Sequence, residues 1–249
     1  MADAGRTLVV GDVHGCLGEL DELLRVAEYR RDADRLVLLG DLLDRGPDPV
    51  GVVRRVRELG AECVMGNHEE KHLRWAAHEA RRRGDPAYRN PMRPFDAKRA
   101  AEHAELSRDD LAWIAALPRS VALGGTWTAV HAGFVPGVPV SRQPPDWIIR
   151  LRYVDAEGKP VPRDRGDNGE PGVRRWAEAW RGPQSVVYGH HAQALSGPRV
   201  DRPAPGVQCV GIDTGCVYGG FLTALELPAE RFVQVPSRTR LARTPEPDE

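Results

Sequence analysis

Cysteine is scarce in this chain: Cys16, Cys63, Cys209 and Cys216 are the only four in 249 residues. They form no Cys-x-x-Cys pair, which argues against a dense disulfide framework and a thiolate zinc site and fits reduced thiols in the cytoplasm. Cys16 and Cys216 fall close in sequence to the motifs described below, and small packing residues are the simplest reading of both. Long apolar runs are missing too. No stretch approaches the roughly 18 apolar residues that a membrane span needs. The N-terminus has no basic segment leading into an apolar one, so no signal peptide is expected. Charge of one sign is also lacking: 35 basic residues against 36 acidic ones leave a net charge of −1. That balance supplies no global field for nucleic acid or membranes. Lysine is rare, with only Lys71, Lys98 and Lys159, a bias that codon usage accounts for. No phosphate loop of the GxxxxGKS type and no long internal repeat is found.

What the chain does hold is one short design, three times. Leu36-Val37-Leu38-Leu39 runs into Gly40-Asp41-Leu42-Leu43-Asp44-Arg45-Gly46. Leu8-Val9-Val10 runs into Gly11-Asp12-Val13-His14-Gly15, and Cys63-Val64-Met65 into Gly66-Asn67-His68-Glu69. Each reads as a buried strand, then glycine, then hard oxygen or imidazole donors. Open α/β sheets place ligands at that edge of the strands, so three strand ends deliver Asp, His, Asp, Asn and His to one rim. Oxygen and nitrogen donors without thiolate suit Mn, Fe, Zn or Co. Asp41 and Asp44, three residues apart, are free to take different tasks, and the Arg45 guanidinium can grip an oxyanion.

Along the chain, residues 7–10, 35–39 and 63–65 are expected as strands. Residues 17–27 and 50–59 are expected as helices, the second stopped by Gly60. This βαβαβ opening predicts a parallel sheet with right-handed crossovers. A helix over 70–83, an irregular arginine-rich loop over 84–94 and a helix capped at Ser107 follow. The second half reads as mostly β: a hairpin over 120–130 ending at His131, a polar loop over 155–171, a helix over 173–180, and strands at 185–188 and 207–212 ending near His190 and Asp213. A hairpin over 221–235 closes the chain. Two mixed sheets flanked by helices accommodate both halves, with residues 1–236 as one domain and 237–249 as a disordered tail.

Asp12-Val13-His14, Gly40 to Gly46, Gly66 to Glu69, His131-Ala132-Gly133 and Gly189-His190, in this order, resemble the phosphoprotein phosphatase family of binuclear metallophosphoesterases. The match spans about residues 8–227, and five motifs in order are specific. The resemblance implies the calcineurin-like αββα sandwich and two divalent metals, foremost Mn. It implies that Asp12 and His14 bind the first metal, that Asp41 bridges both, and that Asn67, His131 and His190 complete the second. Asp44 would pair with His68, a proton donor to the leaving oxygen, and Arg45 and Asn67 would contact phosphate. Attack would come from a metal-bridging hydroxide, with no phosphoenzyme. Within the family the chain is most similar to the bacterial branch close to symmetrical diadenosine tetraphosphatases. Ile149-Arg150-Leu151-Arg152-Tyr153 resembles that branch's Thr-Arg-Met-Arg-Phe segment, with Ile149 as the departure, and 211–220 resembles its C-terminal signature. The implied substrates are dinucleoside polyphosphates cleaved to ADP, together with simple phosphoesters. The alternative is a protein phosphatase for phosphoserine, phosphothreonine or phosphotyrosine. A catalytically dead binding module would be expected to lack a ligand, and none is lacking.

Some residues keep two readings. Arg150 is favoured over Arg152 as a second phosphate clamp, from the resemblance and from side-chain alternation in an extended segment. Asp213 caps a strand or faces the site, and Tyr218 packs or closes over substrate. The arginines between 81 and 93 read as a solvated face before an anion site. His191 reads as structural or surface, and His72, His78 and His103 as solvated helix residues.

Overall fold

The computed structural model describes residues 5–192 and 194–241. The first strand, β1 (Thr7–Val10), runs into α1 (Leu17–Val26), β2 (Arg35–Leu38), α2 (Pro49–Leu59) and β3 (Glu62–Cys63). These three strands are parallel neighbours. Helix α2 opens on Asp48, whose side chain accepts from the Gly51 N–H, and ends on Gly60 with φ +67°, the left-handed closure that glycine allows. Helix α3 (Asn67–Gly84) follows at once, then α4 (Ala97–Glu105), α5 (Arg108–Ala115), and the hairpin of β4 (Ser120–Gly124) and β5 (Trp127–Val130).

The 150s and 160s hold a small antiparallel sheet of β6 (Tyr153–Val154), β7 (Pro160–Val161) and β8 (Arg174–Arg175), with the short helices α6 (Arg163–Asp167) and α7 (Trp176–Ala179). Strands β9 (Ser185–Tyr188), β10 (Arg199–Ala204) and β11 (Val207–Gly211) complete a second sheet, and β12 (Phe221–Leu227) and β13 (Arg231–Pro236) the first. The strand orders are β13-β12-β1-β2-β3 and β10-β11-β9-β5-β4. Strands β5, β9 and β11 are mutually parallel, so each sheet carries a parallel triplet whose carboxyl ends form a rim.

Alternation along the strands builds two cores. Val9 and Val37 of the first sheet face Ala129, Val187 and Val210 of the second. Leu8, Val10, Leu36 and Leu38 point the other way, onto Leu20 and Leu23 of α1 and Val53 and Val56 of α2. The expected two-sheet α/β sandwich flanked by helices is thus the observed fold.

Several local expectations differ. Helix α3 starts at Asn67 rather than at residue 70, so the Asn-His pair forms its first turn. Residues 173–180 are not one helix: Arg174 and Arg175 pair with Val154 and Tyr153, leaving α7 only four residues. Strand β10 was not expected, because Arg199–Ala204 is polar and contains Pro203, a composition that sheets tolerate at an edge. The sequence places His103 on a helix without setting its bounds; the structure gives α4, which the Asp96 side chain caps by accepting from the Arg99 N–H at 2.9 Å. At the expected tail, the Arg238 N–H donates to Glu19 at 2.8 Å and the Leu241 N–H to the Val217 carbonyl at 3.0 Å. Residues 242–249 lie outside the described residues. Among the described residues no helix is long and apolar enough to cross a membrane.

Candidate functional site

The rim gathers every residue that the strand–glycine–donor motifs singled out. Asp12 follows β1, Asp41 follows β2, Asn67 opens α3 just after β3, His131 follows β5 and His190 follows β9. All are buried. The chain bends sharply to deliver them. Among the described residues, seven non-glycine positions have positive φ, and His14, Asp41, Asp44, Arg45 and His190 are five of them. Sparsely populated backbone persists where the surroundings enforce it, and it clusters at functional sites. Gly66 and Gly189 are required by crowding: a Cβ on either would collide with the carboxylate of Asp41 or Asp12 respectively.

Asp41 lies at the centre. Its Oδ2 is 3.4 Å from His14 Nε2, and its Oδ1 is 3.3 Å from His131 Nε2. It belongs to two ligand clusters, His14–Asp41–His68 and Asp41–His131–His190, in each of which one donor atom per residue lies within 4.8 Å of the others. The tautomers follow from the partners. His14 Nδ1 faces the Leu43 carbonyl at 2.9 Å and His131 Nδ1 the Leu39 carbonyl at 2.7 Å. A carbonyl only accepts, so Nδ1 carries the proton and Nε2 turns a lone pair inward, the arrangement of metal-binding imidazoles. Asn67 Oδ1 then sits 2.9 Å from both His131 Nε2 and His190 Nδ1.

Charge tells the same story. Burial, then the charges of Asp213 and Asp41, push the Asp12 carboxyl well above the usual range, although the His190 N–H donates to its Oδ2 at 2.9 Å. Asp12 Oδ1 is buried and accepts no hydrogen bond among the described residues. Burial and the neighbouring Arg45 and His68 hold His14 well below the usual imidazole value, hence neutral. A buried group of carboxylates, a carbonyl and neutral imidazoles is a set of converging acceptors that is costly unless a cation joins them. The residues present therefore fit divalent metal.

Three residues further on, the same loop meets the opposite environment. Asp44 Oδ2 is 2.5 Å from His68 Nδ1, Oδ1 accepts from Arg99 Nε at 2.6 Å, and His72 Nε2 lies 3.4 Å from Oδ1. The Asp44 N–H donates to Glu102 at 2.8 Å. Burial alone would raise the Asp44 carboxyl, but the hydrogen bonds and charges of His68 and His72 more than offset it and hold it well below the usual range. The Asp44–His68 pair expected from the family resemblance is thus in contact. His68 Nε2 lies 3.8 Å from Asp41 Oδ2, so the ring spans both environments.

Arg45 donates to His14 Nε2 at 2.5 Å, and its guanidinium stands 5.5 Å from the centre of the Tyr218 ring. Tyr218 therefore both packs and borders the site. Asp213 accepts from the Gly215 N–H at 3.0 Å, and its charge helps raise the Asp12 carboxyl. The extended segment expected around Arg150 is instead a 3-10 turn over Trp147–Ile149. Arg150 leaves that turn toward α3 and pairs with Glu70 at 2.5 Å. Arg152 is buried. With burial it pushes neighbouring His191 down to about 3, which makes His191 a neutral structural ring beside Tyr153.

Four residues escaped the sequence reading. His72 is fully buried, not solvated. Arg99 and Glu102 come from α4 and grip Asp44. Glu69 accepts from the N–H groups of Asp41, Leu42, Leu43 and Gly66 at 2.8–3.1 Å, fixing the loop after β2 to the start of α3. Glu69 had a local signal, a glutamate three residues past the helix cap. Glu102 had none, because its partner is 58 residues away.

Known proteins resemble the chain along most of its length. The family model for calcineurin-like phosphoesterases matches residues 5–204. A Bacillus subtilis protein named bis(5′-nucleosyl)-tetraphosphatase PrpE, asymmetrical, is 31% identical over 252 positions, covering 92% of this chain and 93% of its own. A Chromohalobacter salexigens protein named bis(5′-nucleosyl)-tetraphosphatase, symmetrical, is 29% identical and covers 91% and 96%. A solved structure proposed to be a diadenosine tetraphosphatase superposes with a TM-score of 0.77 at 31% identity, covering 95% of both chains.

Proposed function

Because the chain belongs to the calcineurin-like phosphoesterase family, and is therefore a metallophosphoesterase, we propose that its substrates are dinucleoside polyphosphates, with diadenosine tetraphosphate cleaved symmetrically to two ADP. Relatives named as tetraphosphatases, aligned over nine-tenths of both chains, support the substrate class. The similarity of residues 149–153 to the symmetrical branch supports the position of cleavage. The observation that carries the chemistry is Asp41, among the described residues the one carboxylate common to two ligand clusters.

In this reading Asp12 and His14 would hold one divalent ion and Asn67, His131 and His190 the other, with Asp41 available to both. The mixed oxygen and imidazole set suits Mn, with Fe, Zn and Co as competitors. Two such ions supply charge that polarises phosphoryl oxygens and acidifies water. The chain's own residues do the rest. Arg45 and Arg150 hold the non-bridging oxygens as charge redistributes. Asn67, at the first turn of α3, orients the phosphate. His68 hands a proton to the leaving oxygen, and Asp44 steadies the resulting imidazolium. Since burial pushes the Cys63 and Cys209 thiols well up, neither is a nucleophile.

The test is a competition on protein stripped of metal and reloaded with Mn, with diadenosine tetraphosphate and a phosphopeptide in one tube and the products separated by chromatography. ADP as the sole nucleotide product is expected. AMP and ATP in equal amounts would move the chain to the asymmetrical relatives. Phosphate released from the peptide while the dinucleotide survives would make it a protein phosphatase.

A further inference from the structure

Helix α3 leaves the metal ligands carrying a row of cationic side chains. Asn67, Lys71, Arg74 and His78 share one face, at i, i+4, i+7 and i+11. At about 1.5 Å per residue, His78 lies roughly 16 Å along the helix from Asn67. The last three line a cavity of about 260 Å³. Its other wall includes Pro91, Met92 and Arg93, from the loop between α3 and α4, and Arg150 lines it too. Four permanent cations therefore border the cleft: Lys71, Arg74, Arg93 and Arg150. Glu70 lies 2.5 Å from Arg150 and 3.7 Å from Arg74. The Arg93 side chain is exposed. Pro91 and Met92 add an apolar surface beside the cations.

Resting on the dinucleotide reading above, we propose that this cleft is a second substrate subsite, which holds the phosphate chain and nucleoside projecting away from the metals. Polyphosphate is what a row of guanidinium and ammonium groups recognises. The apolar wall of Met92 and Pro91, with the His78 ring, suits the flat face of a nucleobase. Its volume lies just below the usual range for small-ligand pockets, about 300–1,000 Å³. One nucleotide half fits that space better than a folded peptide does. Lys71, one helical turn beyond Asn67, joins the two regions, and Arg150 also lines the cleft. Of the arginines between 81 and 93, only Arg93 lines it.

The test uses the full-length, Mn-loaded protein and two exposed-residue variants, Arg74→Glu and Arg93→Glu. Binding of a methylene-bridged, uncleavable diadenosine tetraphosphate is measured by calorimetry, and hydrolysis of p-nitrophenyl phosphate, which has no remote half, is measured alongside. Each reversal should weaken the analogue by about tenfold or more, as expected for lost charged hydrogen bonds, while p-nitrophenyl phosphate turnover stays within twofold. Unchanged analogue binding in both variants, or no binding to the unmodified protein, overturns the subsite. Equal losses on both ligands also overturn it, since the arginines would then act on the metal site as a whole. If the unmodified protein binds the analogue, loses it on charge reversal, and yet leaves diadenosine tetraphosphate uncut, the subsite stands and the dinucleotidase reading falls.

Discussion

Asp41 and Asp44 sit in one loop, three residues apart, equally buried and both with left-handed backbone. Their surroundings are opposite. Around Asp41 stand Asp12, Glu69 and imidazoles whose lone pairs point inward; burial and the Asp41 charge push the Glu69 carboxyl up as well. Around Asp44 stand His68, His72 and Arg99, and its carboxyl is held well down. Asp41 stands among other carboxylates and imidazoles, whereas Asp44 has the Arg99 guanidinium against its oxygen. On the assignment proposed above, the contrast separates metal binding from acid–base work within four residues.

The largest expected effect breaks that contrast from the Asp41 side. Asp41→Asn should lose both metals and at least about a thousandfold in activity, or roughly 4 kcal/mol of transition-state stabilisation. The metal-free variant should melt no lower than the metal-free parent, because a buried like-charge neighbour has gone. Asp44→Asn should do the reverse: keep two metals but lose about 3 kcal/mol of stability, since Arg99 and His68 lose a buried partner. Elemental analysis and melting with and without EDTA check both variants. Full activity of Asp41→Asn with two bound ions would exclude the bridging role.

His68 tests whether the Asp44 side serves the leaving group. Serine alkoxide is a poor leaving group and needs a proton; ADP departs readily as an anion. His68→Ala should therefore cost phosphoserine hydrolysis about 10²–10⁴-fold and diadenosine tetraphosphate hydrolysis clearly less. Rates on the two substrates, measured with the same metal loading, decide it. Equal losses would remove His68 from the acid role.

The two sides were also unequally legible. The Asp41 side could be read from the sequence, because each ligand follows its own strand and glycine: Asp12 after Gly11, Asp41 after Gly40, Asn67 after Gly66. That coupling is local, a property of how a buried strand ends. Even His131 and His190, far along the chain, end apolar strands of their own. The Asp44 side was half hidden. His68 was visible beside Asn67, but Arg99 and Glu102 reach Asp44 across more than 50 residues from a helix whose apolar residues are all alanine. His72 was misread as solvated because a histidine on a polar helix gives no sign of what packs above it; Phe95 and His103 do. The small sheet of β6, β7 and β8 was missed for a related reason. Two-residue strands carry no periodicity, and their pairing, not their composition, defines them.

Glu102 offers the smallest and finest test of the contrast, because it is the acidic group placed on the cation-rich side. Burial, and then the Asp44 charge, push its carboxyl up to about 7, while the Asp44 N–H it accepts pulls it down. An unfolded glutamate titrates near 4.3. The folded state therefore holds this proton more tightly than the unfolded one, and the stability so gained is fully present below about pH 4 and lost as pH rises through about 7. Glu102→Gln keeps an oxygen for the Asp44 N–H and has no proton to lose. Relative to the parent it should thus gain stability between pH 5.5 and pH 8.5, by on the order of 1–3 kcal/mol, read from melting curves of the full chain at both pH values. A pH-independent difference would mean that Glu102 is ionised throughout, with His72 and Arg99 supplying enough positive charge for two carboxylates instead of one.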